Sequence, residues 1–161
     1  MRSIYSIIWL LNIFINYFKM GNCLNITKDD KLENNLKSAR VFSLKGRYRA
    51  KVIDVYDGDT ITVVFLYKGD YVKTNIRLLG YDAPEMKPSK NLDNRHQLIS
   101  QAINVKEHLS SYVLNKFVDL EITSNDKYGN RWLGNVSLNK LNINQEMLKN
   151  PYCKPYNGGK K

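Results

Sequence analysis

Cysteine is almost absent from this chain of 161 residues, since Cys23 and Cys153 are its only two cysteines and lie near opposite ends. Two cysteines placed in this way form neither a disulfide framework nor the clustered motif of a zinc site. The sequence is compatible with a reducing or an oxidising compartment. It excludes the small modules that depend on several disulfides or on cysteine-bound zinc.

Acidic residues are scarce relative to basic ones. The chain has 25 Lys and Arg against 15 Asp and Glu, which gives a net charge of +10. This balance favours a polyanionic partner, either a nucleic acid or an anionic membrane surface. A basic protein without such a partner is the alternative. Hydrophobic residues make up 43% of the chain, enough for a core, and the length fits one domain plus a tail.

No apolar run is as long as the roughly 20 residues of a membrane-spanning helix. Residues 4–18 (IYSIIWLLNIFINYF) come closest and follow a basic residue, Arg2. A signal-anchor and a cleaved signal peptide both remain open, although no small-residue cleavage site follows. We expect a membrane-associated or secreted protein if this segment is translated.

A third interpretation is that translation starts at Met20, so that most of residues 1–22 lie upstream of the true start. The product would begin Met-Gly-Asn-Cys, so that Gly21 could be myristoylated and Cys23 palmitoylated. We then expect an intracellular, lipid-anchored protein. In each case residues 23–42 are predicted to be a polar linker, and residues 43–161 the folded domain.

Alternating apolar and polar residues predict three consecutive strands. They are RYRAKVIDVY (47–56), TITVVFLY (60–67) and YVKTNIRLL (71–79). Asp57-Gly58-Asp59 and Lys68-Gly69-Asp70 separate them as turns, which indicates an antiparallel meander.

The rest of the domain alternates between loops, helices and strands. Residues 80–95 contain two prolines and are predicted to be a loop, and residues 156–161 a loop-like tail. Apolar residues at helical spacing predict a helix over about 96–114, namely Ile99, Ala102, Val105, Leu109 and Val113. Strands over 117–123 and 132–138 follow, and then a short helix capped by Asn142. This order predicts a β-barrel with helices (α+β), a five-stranded OB-fold whose groove commonly binds oligonucleotides.

Two acidic clusters stand out, one in the first turn and one after the third strand. If the strands pair as predicted, Asp59 and Asp82 meet at one rim of the barrel, with Arg77 and Glu85 close by. Carboxylates and a guanidinium in a small space indicate a divalent metal ion and a phosphate group. In a chain of this charge we expect the phosphate to belong to a nucleic acid.

Four segments resemble the staphylococcal nuclease (thermonuclease-like) family. They are AKVIDVYDGDTITVVF, IRLLGYDAPE, DKYGNRWLGNVSL and INQEML, within residues 46–161. The resemblance implies an OB barrel with helices and a calcium-activated phosphodiesterase that cuts DNA and RNA with little sequence preference. It also implies that residues 43–161 are a nuclease-like domain, and we expect a monomer.

The resemblance also assigns roles to individual residues. Asp59, Asp82 and the main-chain carbonyl of Ala83 would hold one Ca²⁺ ion, and Glu85 would position or deprotonate the attacking water. Arg77 and Arg131 would bind the scissile phosphate. In addition, we predict that Lys87 and Lys127 contact the nucleic-acid backbone and that Tyr128 stacks on a base or sugar.

One departure from the family pattern affects the second arginine. The family commonly has arginine directly after D-K-Y-G, whereas this chain has Asn130 and then Arg131. We align Arg131 with the family arginine, because a turn absorbs one extra residue more easily than a strand shifts its register. Its guanidinium should then point into the cleft that holds Asp59, Asp82 and Glu85.

Two functions follow from these observations. The first is a calcium-dependent nuclease acting on DNA, RNA or both with low sequence specificity. The alternative is a catalytically inactive OB-type module that binds nucleic acid, with or without a membrane tether. The presence of all three carboxylates favours the nuclease.

Overall fold

The computed structural model describes residues 42–126 and 131–158, and a compact unit begins at Ser43. The predicted N-terminal segment and all of the linker except Phe42 lie outside the described residues, and their boundaries stay predictions. Within the described part of the chain, no helix combines the length and the hydropathy needed to span a membrane.

Eight strands and two helices make up the described structure. The strands are β1 (Gly46–Val55), β2 (Thr60–Tyr67), β3 (Asp70–Leu78), β4 (Gly80–Asp82), β5 (Phe117–Asn125), β6 (Trp132–Leu138), β7 (Leu141–Asn142) and β8 (Lys154–Tyr156). The helices are α1 (Arg95–Val113) and α2 (Ile143–Met147).

Five of the strands close into a barrel. They are hydrogen-bonded in the order β3-β2-β1-β5-β6, and a parallel pairing of β3 with β6 completes the ring, with Arg77 opposite Leu133. The side chains that alternate inward fill the interior, and Val52, Val63 and Ile76 are fully buried. The predicted five-stranded OB-type barrel with helices is therefore confirmed.

Helix α1 packs against the barrel with the face that its sequence period predicts. Ala102, Val105, Leu109 and Val113 are all buried, while Ile99 is only half-buried. The short helix α2 begins as predicted, because the side chain of Asn142 accepts a hydrogen bond from the backbone N–H of Gln145 at 3.1 Å.

A two-stranded sheet forms where the sequence predicts only loop and tail. Strand β4 pairs with β8, with Asp82 opposite Lys154 and Gly80 opposite Tyr156. The prediction was wrong for residues 80–82 and Tyr156, because two three-residue strands far apart in sequence show no alternation of their own. This sheet holds the segment that carries Asp82.

Candidate active site

An open cavity of about 1150 Å³ lies where the β1–β2 turn, β3, the segment after β4 and the start of β6 meet. Five of the residues predicted from sequence are involved. Asp59, Arg77, Ala83, Glu85 and Arg131 line the cavity wall. Asp82 joins the group through Arg77, to which it is ion-paired.

The turn between β1 and β2 fixes the position of Asp59. The Asp57 carboxylate accepts a hydrogen bond from the Asp59 N–H at 3.1 Å, and the Asp59 carbonyl accepts one from Leu78 at 2.8 Å. The Thr60 hydroxyl donates to Asp59 Oδ1 at 2.9 Å. Asp59 is only 4% exposed, so it is a buried carboxyl at the cavity wall.

Gly58 allows this turn to pack closely against the rest of the domain. A Cβ atom on Gly58 would lie 2.6 Å from Val105 and 2.7 Å from Ala83, which leaves no room for a side chain. The Gly58 carbonyl accepts a hydrogen bond of 2.9 Å from the hydroxyl of Tyr81, which is fully buried. Tyr81 thereby ties the segment that carries Asp59 to the segment that carries Asp82.

Arg77 joins the two aspartates. Its Nη1 contacts Asp59 Oδ2, and its Nη2 donates to Asp82 Oδ1 at 2.8 Å. The Arg77 side chain is 14% exposed, and its guanidinium lies 5.8 Å from the ring centre of Tyr156. The two carboxylates therefore converge on one planar cation.

Burial raises the pKa values of three groups at or near the site. Desolvation, reinforced by the nearby charge of Asp57, raises the pKa of Asp59 to about 7, and Arg77 only partly opposes this effect. Burial also raises the pKa of Tyr81 well above its usual value, and it raises the pKa of Cys153 to about 11. The Tyr81 hydroxyl thus stays a hydrogen-bond donor, and the Cys153 thiol stays protonated.

Arg131 lies at the cavity wall, with its side chain 29% exposed. Its Nε donates to the Asp126 carboxylate at 2.5 Å, and its Nη1 lies 3.4 Å from the Thr60 hydroxyl. Asn130, the competing residue in the alignment, lies outside the described residues.

The other predicted site residues differ in position. Glu85 is exposed at the cavity, and Ala83 is buried beside it. Lys87 is exposed and does not line the cavity. Lys127 and Tyr128 lie outside the described residues, so their predicted contacts with nucleic acid remain predictions.

The donor atoms suit a hard cation such as Ca²⁺. In the described ranges, no group of three or more His, Cys, Asp or Glu side chains could hold a metal ion. Asp59 and Asp82 converge, however, and carboxylates together with main-chain carbonyls and water are the ligands that Ca²⁺ prefers. In this structure the Arg77 guanidinium occupies the point where the two carboxylates converge.

Sequence reasoning missed three residues at this site. Thr60 contacts both Asp59 and Arg131, Asp126 holds Arg131, and Tyr156 lies against Arg77. The acidic turn before Arg131 was a usable signal for Asp126. The sequence carries no signal for Tyr156, because its position depends on the pairing of β8 with β4.

Comparisons with known proteins agree with the fold. A family model described as "Staphylococcal nuclease homologue" matches residues 75–160, a range that includes Arg77, Asp82 and Arg131. The chain is also similar to "Uncharacterized protein MJ1439" of Methanocaldococcus jannaschii, with 34% identity over 128 residues. This match covers 68% of the present chain and 59% of the relative, so the chain spans less than two thirds of that protein.

Proposed function

Because the chain belongs to the staphylococcal nuclease homologue family, we propose that it is a calcium-dependent phosphodiesterase that cleaves DNA, RNA or both with low sequence specificity. Family membership suggests a nuclease-type function and a nucleic-acid substrate. The finer proposal rests mainly on one observation, the bridge that Arg77 makes between Asp59 and Asp82 at a cavity that Arg131 and Glu85 also line.

Arg77 and Arg131 would hold the scissile phosphate. A guanidinium has five N–H donors in a planar fork that matches phosphate oxygens, and negative charge on those oxygens must be stabilised during cleavage. Two nitrogens of Arg77 already contact carboxylates, which orient the guanidinium beside the cavity. Asp126 orients Arg131 in the same way.

Glu85 would handle the attacking water. Its carboxylate is exposed at the cavity, where a water molecule and a phosphate can both reach it. Removing a proton from water as it attacks phosphorus is general-base catalysis, which typically contributes about 10²- to 10⁴-fold in rate.

Asp59, Asp82 and the main-chain carbonyl of Ala83 would hold the calcium ion. Their oxygens suit a hard cation, and a bound cation would neutralise charge on the phosphodiester and help to orient it. The raised pKa of Asp59 means that the carboxyl group must lose its proton before it can serve as a ligand.

A non-catalytic nucleic-acid-binding module is the second candidate. Both arginines at the cavity are already engaged by carboxylates, Arg77 by Asp59 and Asp82, and Arg131 by Asp126. If these ion pairs persist when substrate binds, the arginines would not reach the phosphate. Such a protein would bind single strands without cutting them.

The test compares cleavage of heat-denatured DNA and of RNA by the full-length chain with calcium and with a chelator. For Glu85→Gln we expect turnover to fall by about 10²- to 10⁴-fold, because the glutamine cannot accept the proton of water. Binding of denatured DNA should remain close to that of the wild type.

Glu107→Gln is the matched control, because it makes the same chemical change at an exposed position on α1. It should leave turnover unchanged. Wild-type turnover no greater than that of Glu85→Gln would contradict the proposal, and binding without cleavage would support the non-catalytic module.

A further inference from the structure

We propose that Thr60 is a positioning residue, which orients the guanidinium of Arg131 toward the scissile phosphate and links it to the turn that carries Asp59. This proposal rests on the proposed function and adds a residue to it. Thr60 is not part of the cavity wall, so it would act through Asp59 and Arg131 rather than by touching the substrate.

The backbone of Thr60 closes the acidic turn between β1 and β2. Its carbonyl accepts hydrogen bonds from the Tyr56 N–H at 2.9 Å and from the Asp57 N–H at 3.4 Å. In the pairing of β2 with β3, Thr60 lies opposite Arg77. Thr60 is only 3% exposed, so the surrounding segments fix its position. It therefore stands where the turn, β2 and β3 meet.

The hydroxyl group of Thr60 makes two hydrogen bonds of opposite direction. It donates its hydrogen to Asp59 Oδ1 at 2.9 Å, and its oxygen accepts a hydrogen bond of 3.4 Å from Arg131 Nη1. An arginine side chain can only donate, so it takes a lone pair of the hydroxyl oxygen and leaves the hydrogen for the carboxylate. The two bonds together fix the rotation of the hydroxyl group.

Asp126 holds the same guanidinium at a different nitrogen. Arg131 Nε donates to the Asp126 carboxylate at 2.5 Å, and the Asp126 N–H donates to the Arg131 carbonyl at 3.0 Å. Contacts at Nε and Nη1 constrain the plane of the guanidinium at two points. They use two of its five N–H groups, which leaves at most three for the oxygens of a phosphate.

The two contacts of Arg131 contribute differently. The hydrogen bond to Thr60 is long at 3.4 Å, whereas the contact with Asp126 is charge-assisted and spans 2.5 Å. Asp126 therefore supplies most of the attraction, and Thr60 supplies direction. Direction matters for catalysis, because negative charge builds up on the phosphate oxygens during cleavage and donors must point to the place where it develops.

Threonine suits this position in two ways. A β-branched side chain has few χ1 rotamers, so the hydroxyl group is held in place before a substrate binds. The same branching favours the strand conformation with which β2 begins. Valine keeps this shape without the hydroxyl group, and serine keeps the hydroxyl group without the branch. The two substitutions therefore separate the hydrogen bonds of Thr60 from its packing.

The test measures kcat and KM of the full-length chain on heat-denatured DNA with calcium. In Thr60→Val, kcat should fall about 10- to 100-fold, because a misplaced catalytic group costs up to about this factor. KM should change little, since the orientation of Arg131 matters most when charge builds up in the transition state. Thr60→Ser restores the hydroxyl group and should recover most of kcat. If the valine variant does not fold, Thr60→Ala replaces it in the same comparison.

Thr62→Val is the matched control. Thr62 is also a buried threonine of β2, and its hydroxyl donates to the Asn75 side chain at 2.9 Å, away from the cavity. The same chemical change at this position should leave kcat unchanged. Equal losses of kcat in the two valine variants would overturn the proposal, and so would a Thr60→Ser variant that recovers nothing.

A double-mutant cycle with Arg131→Gln tests whether Thr60 acts through Arg131. Thr60→Val should lower kcat much less in the Arg131→Gln background than in the wild type, because the group that it positions is already gone. An equal loss in both backgrounds would show that Thr60 acts without Arg131 and would overturn the proposal.

Failure of the positioning role and failure of the nuclease are distinguishable. If the wild type cleaves DNA and Thr60→Val keeps its kcat, the positioning role is wrong while the nuclease stands. If the wild type cleaves nothing, the NMR resonances of the Arg131 guanidinium, assigned by their loss in Arg131→Gln, report its orientation without turnover. They should shift in Thr60→Val and stay in place in Thr62→Val. Unshifted Arg131 resonances in Thr60→Val would overturn the proposal.

Discussion

At the scale of single residues, Tyr81 shows how one buried side chain connects two parts of the candidate site. Its hydroxyl donates to the Gly58 carbonyl at 2.9 Å, between the turn that carries Asp59 and the strand that carries Asp82. An aliphatic residue at this position would lack this hydrogen bond. We therefore expect Tyr81 to position Asp59.

Tyr81→Phe tests this role, because it removes the hydroxyl and keeps the ring. We expect a loss of about 1 kcal/mol in the free energy of unfolding and about tenfold lower turnover on denatured DNA, since Asp59 is less well held. Tyr48→Phe is the matched control: its hydroxyl also donates to a backbone carbonyl, that of Leu44, at 2.8 Å. Urea unfolding should show similar losses for both variants. Equal turnover in the two would contradict the positioning role.

At the scale of secondary-structure elements, Asn144 anchors helix α2 to the barrel. It is 3% exposed, and its side-chain oxygen accepts a hydrogen bond from the Val136 N–H in β6 at 2.9 Å. Its amide group donates to the Leu79 carbonyl, between β3 and β4, at 2.9 Å. One side chain thus satisfies a buried backbone group in β6 and a half-buried one in the connection between β3 and β4.

Asn144→Ala should destabilise the protein by about 3 kcal/mol, because the buried Val136 N–H and the half-buried Leu79 carbonyl both lose their partner. Asn142→Ala is a useful comparison in the same short helix. It removes only the exposed N-cap hydrogen bond to Gln145 and should cost about 1 kcal/mol. Urea unfolding of both variants gives the two values, and a loss for Asn144→Ala no larger than that for Asn142→Ala would argue against the anchor.

At the scale of the whole molecule, barrel closure brings residues of the site together. The protonation of a buried residue in this site also affects the stability of the whole fold. The parallel pairing of β3 with β6 sets Arg77 opposite Leu133, two residues beyond Arg131. Asp59 is buried in the turn between β1 and β2, and its pKa rises from an ordinary value of 3.8 to about 7. A raised pKa means that the folded protein binds this proton more tightly than the unfolded chain does.

The contribution of Asp59 to the free energy of unfolding should therefore be greatest in acid. It should fall as the pH rises from about 4 to about 7. Urea unfolding across this range in a chelator, with Asp59→Asn, tests the prediction. The variant should lose this component of the pH dependence. Asp54→Asn, at an exposed position on β1, is the control and should keep it. A pH profile that Asp59→Asn leaves unchanged would show that this carboxyl group titrates as it does in water.

Much of the barrel was predictable because its signals are local. The bounds predicted for β2 and β6 match the observed strands, and four of the five apolar positions predicted for α1 are buried. The Asn142 cap was predictable for the same reason, since a cap acts within three residues. Strand β5 runs two residues beyond its predicted end at Thr123, because pairing with β6 continues to Asn125 opposite Trp132.

By itself, the sequence determined the alternation of the strands, the helical period, the excess of positive charge and which acidic and basic residues could serve a site. These properties depend on side chains a few residues apart. Only the tertiary structure decided that Arg77 bridges Asp59 and Asp82, that Tyr81 holds Gly58 and that β8 brings Tyr156 against Arg77. Each of these contacts depends on how barrel closure and the β4–β8 pairing bring separate segments together, and no local pattern encodes that geometry.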